Sequence, residues 1–183
     1  MRYTHTLSLF GTLFFTVELP AQFLDWARSV GGVQQEQAFA TAVDQQGAVY
    51  TVGSFVLTAD LDPGLGTNTV TSNGSSDAFI QKLAADGTFE WGYGWGAGGA
   101  DQALGVAVDA DGNVVLTGRA SGTFDLDPTA GIQMVTSANT SFDVFVIKLS
   151  AEGDFIWGRL FGANGNDAGQ SIAIGPGGTI FTA

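Results

Sequence analysis

Short apolar runs separated by turn-forming residues fill the chain after residue 30. Residues 144–149 are typical, because their odd and even positions are apolar alike apart from Lys148. A half-exposed sheet would instead carry polar residues on one face. No segment combines a helical period with capping residues. The pattern therefore predicts an all-β fold whose sheets are covered on both faces.

The apolar runs belong to an internal repeat. Trp26, Trp91 and Trp157 are separated by 65 and 66 residues, and residues 42–53 align with residues 107–118 at the same offset. So many matches at one period are the signature of a repeat architecture. Residues 173–182 form a third copy of the segment 42–53. Three further pairs of segments match: 60–63 with 125–128, 71–72 with 136–137, and 77–83 with 143–149.

Each unit is predicted to contain four antiparallel strands, at residues 39–44, 49–55, 77–83 and 89–95 in the first copy. Glycine-bearing turns at Gly47 and Gly87 connect the first strand to the second and the third to the fourth. Four-stranded units with two apolar faces predict β-propeller-type blades around an incomplete ring. The predicted boundaries are a closing strand at 23–30, complete blades at about 31–95 and about 96–161, and a partial blade at 162–183.

The repeat resembles the SBBP-type bacterial β-propeller repeat. That pattern runs Ala-Val-Asp-x-x-Gly-Asn-Val-Tyr-Val-Thr-Gly and later Asp-x-Phe-Val-x-Lys-Leu, and residues 107–118 and 143–149 match it best. The loops at 60–64 and 125–128 look like its Asp-Phe-Asp-Pro-Gly variant, and the resemblance covers about residues 23–183. It implies a non-catalytic protein that is secreted or attached to the cell surface.

The first 22 residues are predicted to be a secretory signal peptide. A short basic start precedes the apolar run 7–17, and a Pro-Ala breaker places cleavage near Ala21 or Gln22. The alternative is a buried first helix or strand. The run is too short for a transmembrane helix, and no other span is long enough to cross a membrane. The predicted location is therefore outside the cell or on its surface.

Composition narrows the chemistry. Six Lys and Arg stand against 18 Asp and Glu, a net charge of -12, which argues against nucleic acid because phosphate binding needs clustered basic residues. The chain has no Cys, and its only histidine is His5, inside the predicted signal peptide. Serine triads, Cys–His pairs and common zinc sites are then unavailable. We predict no enzyme activity and no organic cofactor.

The strongest metal candidates are two pairs of aspartates. Asp60 and Asp62 recur as Asp125 and Asp127 in loops that also hold proline and glycine or threonine. Paired carboxylates can supply oxygens to Ca²⁺, but the full calcium-loop pattern with a distal Glu is absent. The alternative is a turn in which the carboxylates accept backbone N–H groups. Calcium binding is therefore one hypothesis for these aspartates, and a purely structural role in the turns is the other.

The aromatic residues could form a sugar-stacking platform. Recurrence of Trp26, Trp91 and Trp157 instead favours packing between blades, and Trp95 is also assigned to the core.

The predicted function is a propeller module that binds a protein or polysaccharide or acts as a scaffold. The alternatives are a calcium-stabilised carbohydrate-binding module and an accessory propeller of a larger secreted hydrolase. The partial units at both ends predict a fragment of a longer protein, or a short chain that closes by oligomerising.

Overall fold

The structure is a computed structural model that describes residues 4–9, 13–18 and 24–183. All its regular elements in these ranges are strands, apart from the 3-10 turns Ala138–Thr140 and Pro176–Gly178, so the all-β prediction is confirmed. The strands are β1 (Thr4–Leu9), β2 (Leu13–Glu18), β3 (Gly31–Gly32), β4 (Glu36–Val43), β5 (Val49–Phe55), β6 (Thr58–Asp60), β7 (Thr69–Thr71), β8 (Asp77–Leu83), β9 (Phe89–Trp95), β10 (Gln102–Val108), β11 (Val114–Ala120), β12 (Thr123–Asp125), β13 (Met134–Thr136), β14 (Asp143–Leu149), β15 (Phe155–Phe161), β16 (Ile172–Ile174) and β17 (Ile180–Thr182).

Two four-stranded antiparallel sheets form the body of the protein. The first sheet has the order β4-β5-β8-β9 and the second has the order β10-β11-β14-β15, so each copy of the repeat folds as one meander. The second, third and fourth strands of the first copy have the predicted bounds. The first strand begins earlier than predicted, at Glu36, because Glu36 and Gln37 pair with the end of β5 although they interrupt the apolar pattern.

Smaller sheets lie between and beyond the two meanders. β6 pairs with β7 and β12 with β13, so the predicted loops at 60–64 and 125–128 are the ends of two short hairpins. β3 joins the first of these hairpins as a third strand. β16 and β17 pair in turn, which is the hairpin expected from the third, partial copy.

The main core lies between the two sheets. β10 packs against β4, β5 and β8, and apolar side chains from both sheets form one cluster. Tyr50, Val52 and Ile80 enter it from the first sheet and are fully buried. The second sheet contributes Val114, Leu116, Phe145, Ile147 and Leu149, which are also fully buried. Phe55, Leu61 and Phe79 form a smaller cluster on the opposite face of the first sheet.

The sheets do not close into a ring among the described residues. The strand expected at 23–30 is not formed at 24–30, because no neighbouring strand in the described ranges pairs with this segment, and residue 23 lies outside those ranges. Its role in closing a ring stays a prediction.

The N-terminal region neither supports nor opposes the signal-peptide prediction. β1 and β2 pair as an antiparallel hairpin, and the predicted cleavage site at Ala21 or Gln22 lies outside the described residues. In the described part of the chain no helix has the length and apolar character needed to span a membrane.

Candidate functional site

The recurring aspartates accept hydrogen bonds from the backbone of their own loops. In the first loop Asp60 Oδ1 accepts the backbone N–H groups of Asp62 at 3.0 Å and Asn68 at 2.8 Å. In the second loop Asp125 Oδ1 accepts the corresponding groups of Asp127 at 3.0 Å and Gln133 at 2.6 Å. One oxygen of each carboxylate therefore closes the base of its loop, as the structural alternative expects.

The second aspartate of each pair braces the loop tip. Asp62 Oδ1 accepts the N–H of Gly64 at 2.7 Å, whereas Asp127 Oδ1 accepts both the N–H and the hydroxyl of Thr129, at 2.8 and 2.6 Å. Within the described ranges no three His, Cys, Asp or Glu side chains gather closely enough to hold a metal ion. Calcium binding at Asp60, Asp62, Asp125 and Asp127 stays a hypothesis.

A pair of buried carboxylates lies beside the linker 96–101, which joins β9 of the first sheet to β10 of the second. Asp77 begins β8 and is 1% exposed, and Asp101, just before β10, is completely buried. Both flank Gly96, where a β-carbon would lie 2.6 Å from Asp101 Oδ2 and from Asp77 Cγ. Asp101 accepts N–H groups from Ala97 at 2.6 Å and Ser121 at 2.9 Å, so it ties the linker to the second sheet.

The two carboxylates are electrostatically unequal. Asp77 Oδ2 accepts the Asn73 N–H at 3.0 Å, but its Oδ1 is buried with no hydrogen-bond partner. Burial raises the pKa of Asp77 to about 6; the Asn73 amide opposes the rise and the charge of Asp101 adds to it. Burial also raises the pKa of Asp101, against the two N–H groups that it accepts. This site therefore holds its protons more tightly than ordinary aspartates do.

The same arrangement recurs one unit later in a more open form. Asp143 and Gly162 lie 66 residues after Asp77 and Gly96, and Asp167 accepts the Ala163 N–H at 3.1 Å. Sequence reasoning missed this pair, although its signal was present. Asp101 and Asp167 share the 66-residue offset and follow the linker alanine by four residues.

The recurring tryptophans pack across unit boundaries. Trp91 Nε1 donates to the carbonyl oxygen of Ala151 at 3.1 Å, and Trp26 Nε1 donates to that of Ala85 at 2.9 Å. Each indole also lies against a turn glycine with positive φ, Gly87 for Trp26 and Gly153 for Trp91, where a β-carbon would lie within about 3 Å of the ring. These contacts support the packing interpretation over a sugar-stacking platform.

The other aromatic residues divide between core and surface. Trp95 is 5% exposed and meets Phe145 edge-on, with ring centroids 5.8 Å apart, so it belongs to the core. Trp157, on the far face of the second sheet, is only half-buried.

Lys82 also crosses the boundary between the sheets. Its Nζ donates to the Ala151 carbonyl oxygen at 2.9 Å, pairs with Glu90 at 2.8 Å, and lies 5.4 Å from the centre of the Tyr50 ring. Burial lowers the pKa of Lys82, but Glu90 and Tyr50 outweigh this and leave it above the ordinary value. One turn carbonyl of the second sheet thus receives both the lysine and the tryptophan of the first.

Comparison with known proteins does not extend this description. No protein-family model matches the chain, and no curated protein matches it. What the described residues define is an all-β repeat protein with two stacked meanders. Its recurring polar residues hold turns and unit boundaries together.

Proposed function

We propose that the chain is a non-catalytic β-propeller repeat module of the SBBP type, secreted or displayed at the cell surface, which binds a protein or polysaccharide or spaces other domains. Face-to-face stacking of two four-stranded meanders supports this proposal, because consecutive propeller blades pack in this way. The observation that supports the proposal most directly is that Trp26 and Trp91 make the same contact to the turn of the following unit.

The roles of the acidic side chains support a non-catalytic module. A hydrolase would need carboxylates in an accessible cleft with room for substrate and water. Here the paired aspartates of both loops accept backbone N–H groups, and Asp77 and Asp101 are buried beside the linker 96–101. These carboxylates act as acceptors that fix turns.

Binding of the purified chain to an array of bacterial and plant polysaccharides tests this proposal. Parallel arrays with calcium and with a chelator separate a simple binding module from a calcium-stabilised carbohydrate-binding module. Screening against glycosidic, ester and peptide substrates completes the test. Turnover that is lost in an acidic-residue variant of normal stability would overturn the non-catalytic assignment.

A further inference from the structure

The face of the first sheet that points away from the second sheet is covered unevenly, because Phe79, Gln81 and Leu83 are buried whereas Val49 and Thr51 are only half-buried. A groove of about 250 Å³ lies between the 24–30 segment and this face. Its floor carries Val49, Thr51, Phe79, Gln81 and Leu83. In the second sheet the matching positions are buried against the first sheet, namely Val114, Leu116, Phe145, Ile147 and Leu149. The groove is therefore the counterpart of an occupied boundary.

Residues 24–30 indicate the position that a strand bound in this groove would take. Trp26 contacts the turn at Ala85 and Gly87 as Trp91 of β9 contacts the turn at Ala151 and Gly153. The segment thus occupies the place of a fourth strand, although no third strand pairs with it among the described residues.

Pairing within the first sheet indicates what kind of strand would fit beside residues 24–30. There Lys82 of the third strand lies opposite Trp91 of the fourth, at a register that β14 and β15 repeat with Lys148 and Trp157. An incoming third strand in this register places a lysine opposite Trp26. Both existing third strands follow the sequence Asp-x-Phe-x-x-Lys-Leu.

Acceptors for that lysine are already in position. Lys82 binds the Ala151 carbonyl oxygen and the Glu90 carboxylate, and the corresponding groups beside Trp26 are the Ala85 carbonyl oxygen and Asp25. Asp25 is exposed and makes no salt bridge within residues 24–183.

We propose that this groove binds a third strand of the same repeat, Asp-x-Phe-x-x-Lys-Leu, which pairs with residues 24–30 and directs its lysine to Ala85 and Asp25. Backbone bonding along the segment supplies affinity, as in other strand-addition sites, and the lysine supplies selectivity. This inference rests on the proposed propeller function and names the chemistry of the neighbouring blade.

The probe is a fluorescein-labelled synthetic peptide with the sequence of residues 76–84, whose binding to the purified chain is measured by fluorescence anisotropy. A matched peptide carries Lys82→Glu. We expect the lysine peptide to bind about tenfold or more tightly than the glutamate peptide. The chain variant Asp25→Lys should reverse this preference, and Asp25→Asn should reduce it. Because Asp25 is exposed, circular dichroism should show that both variants fold.

Hydrogen exchange locates the bound peptide. Amides of residues 24–30 should become protected when the lysine peptide is present, whereas those of β15 should not change. The proposal would be overturned if the lysine peptide did not bind at about 1 mM, because a weaker affinity would not amount to specific recognition. Equal binding of both peptides, or binding indifferent to Asp25, would overturn the role of the lysine. Neither result bears on polysaccharide binding, which tests the proposed function separately.

Discussion

Lys82 and Lys148 occupy the same position in consecutive sheets, yet they bind different partners. Lys82 extends to the Ala151 carbonyl oxygen of the next unit, and its side chain is 10% exposed. Lys148 turns back to Asp109 of its own sheet at 2.8 Å, and its side chain is 22% exposed. The first sheet packs against a complete sheet, whereas on its other side the second sheet contacts only the hairpin β16–β17 among the described residues. The repeat therefore encodes a contact between units, which forms where the next unit supplies a turn.

The largest difference is expected between the two phenylalanines of the third strands. Phe145 is completely buried between the sheets and contacts Trp95, whereas Phe79 borders the groove. Phe145→Ala should lower the free energy of unfolding by about 4 kcal/mol. Phe79→Ala should cost roughly half of that, because water and side chains can enter from the groove. Urea unfolding followed by tryptophan fluorescence measures both, and an equal or reversed order would contradict the comparison.

The next effect concerns the two aspartates that begin the third strands. The folded pKa of Asp77 is raised from 3.8 to about 6, so the folded state holds this proton more tightly than the unfolded state does. The stability from this group is fully present below pH ~3.8 and is lost as pH rises to about 6. Ionised Asp77 then costs roughly 3 kcal/mol at pH 7.5.

Asp77→Asn should therefore stabilise the protein by about 1–2 kcal/mol at pH 7.5 and by little at pH 4, since an amide cannot ionise. Asp143→Asn is the matched control. Its carboxylate oxygens already have the Ala138 N–H at 2.9 Å and the Ser141 hydroxyl at 3.3 Å as partners, so no gain is expected. Urea titrations at both pH values provide the measurement. A destabilised Asp77→Asn protein at pH 7.5 would show that the carboxylate is held ionised.

The lysines themselves give a smaller contrast. Lys82→Met should lower the free energy of unfolding by about 2 kcal/mol, because it removes a nearly buried cation from both Glu90 and the Ala151 carbonyl oxygen. Lys148→Met should cost less than about 1 kcal/mol, since Asn113 also binds the Asp109 carboxylate. Equal losses in thermal and urea unfolding would mean that the contact across the boundary contributes nothing beyond the local ion pair.

The sequence predicted the strands well and the polar contacts poorly. Apolar alternation and turn glycines identified β5, β8 and β9 with the correct bounds. The short hairpins β6–β7 and β12–β13 were missed, because three-residue strands carry too little periodicity to separate them from a loop. A strand was expected at 23–30 from its repeat phase alone, but a strand also needs a paired neighbour.

The buried carboxylate pair shows why the candidate site was only partly predicted. Asp77 was recognised as a repeat position, and nothing in its immediate neighbours along the chain indicated burial beside Asp101. That proximity depends on Gly96, which lets both carboxylates approach the linker backbone. Sequence spacing can show that residues recur, whereas contact between them depends on how consecutive sheets stack.

The smallest predicted effects are those of the loop aspartates, where the two loops differ in their tips. Asp125→Ala and Asp60→Ala should each cost about 1 kcal/mol, because each removes an acceptor for two backbone N–H groups. Asp127→Ala should cost more than Asp62→Ala, since Asp127 also binds the Thr129 hydroxyl. Thermal unfolding in the presence of a calcium chelator measures these losses of stability without any contribution from a bound cation.

The same four variants then test calcium when the melts are repeated at millimolar Ca²⁺. If the aspartates only brace their loops, the order of the variants stays the same and no melting temperature rises. A rise in the unmodified chain that Asp60→Ala and Asp125→Ala abolish would instead show that the carboxylates exchange backbone N–H groups for a cation. Magnesium at the same concentration is the control for ionic strength, because Ca²⁺ and Mg²⁺ require different ligand cages.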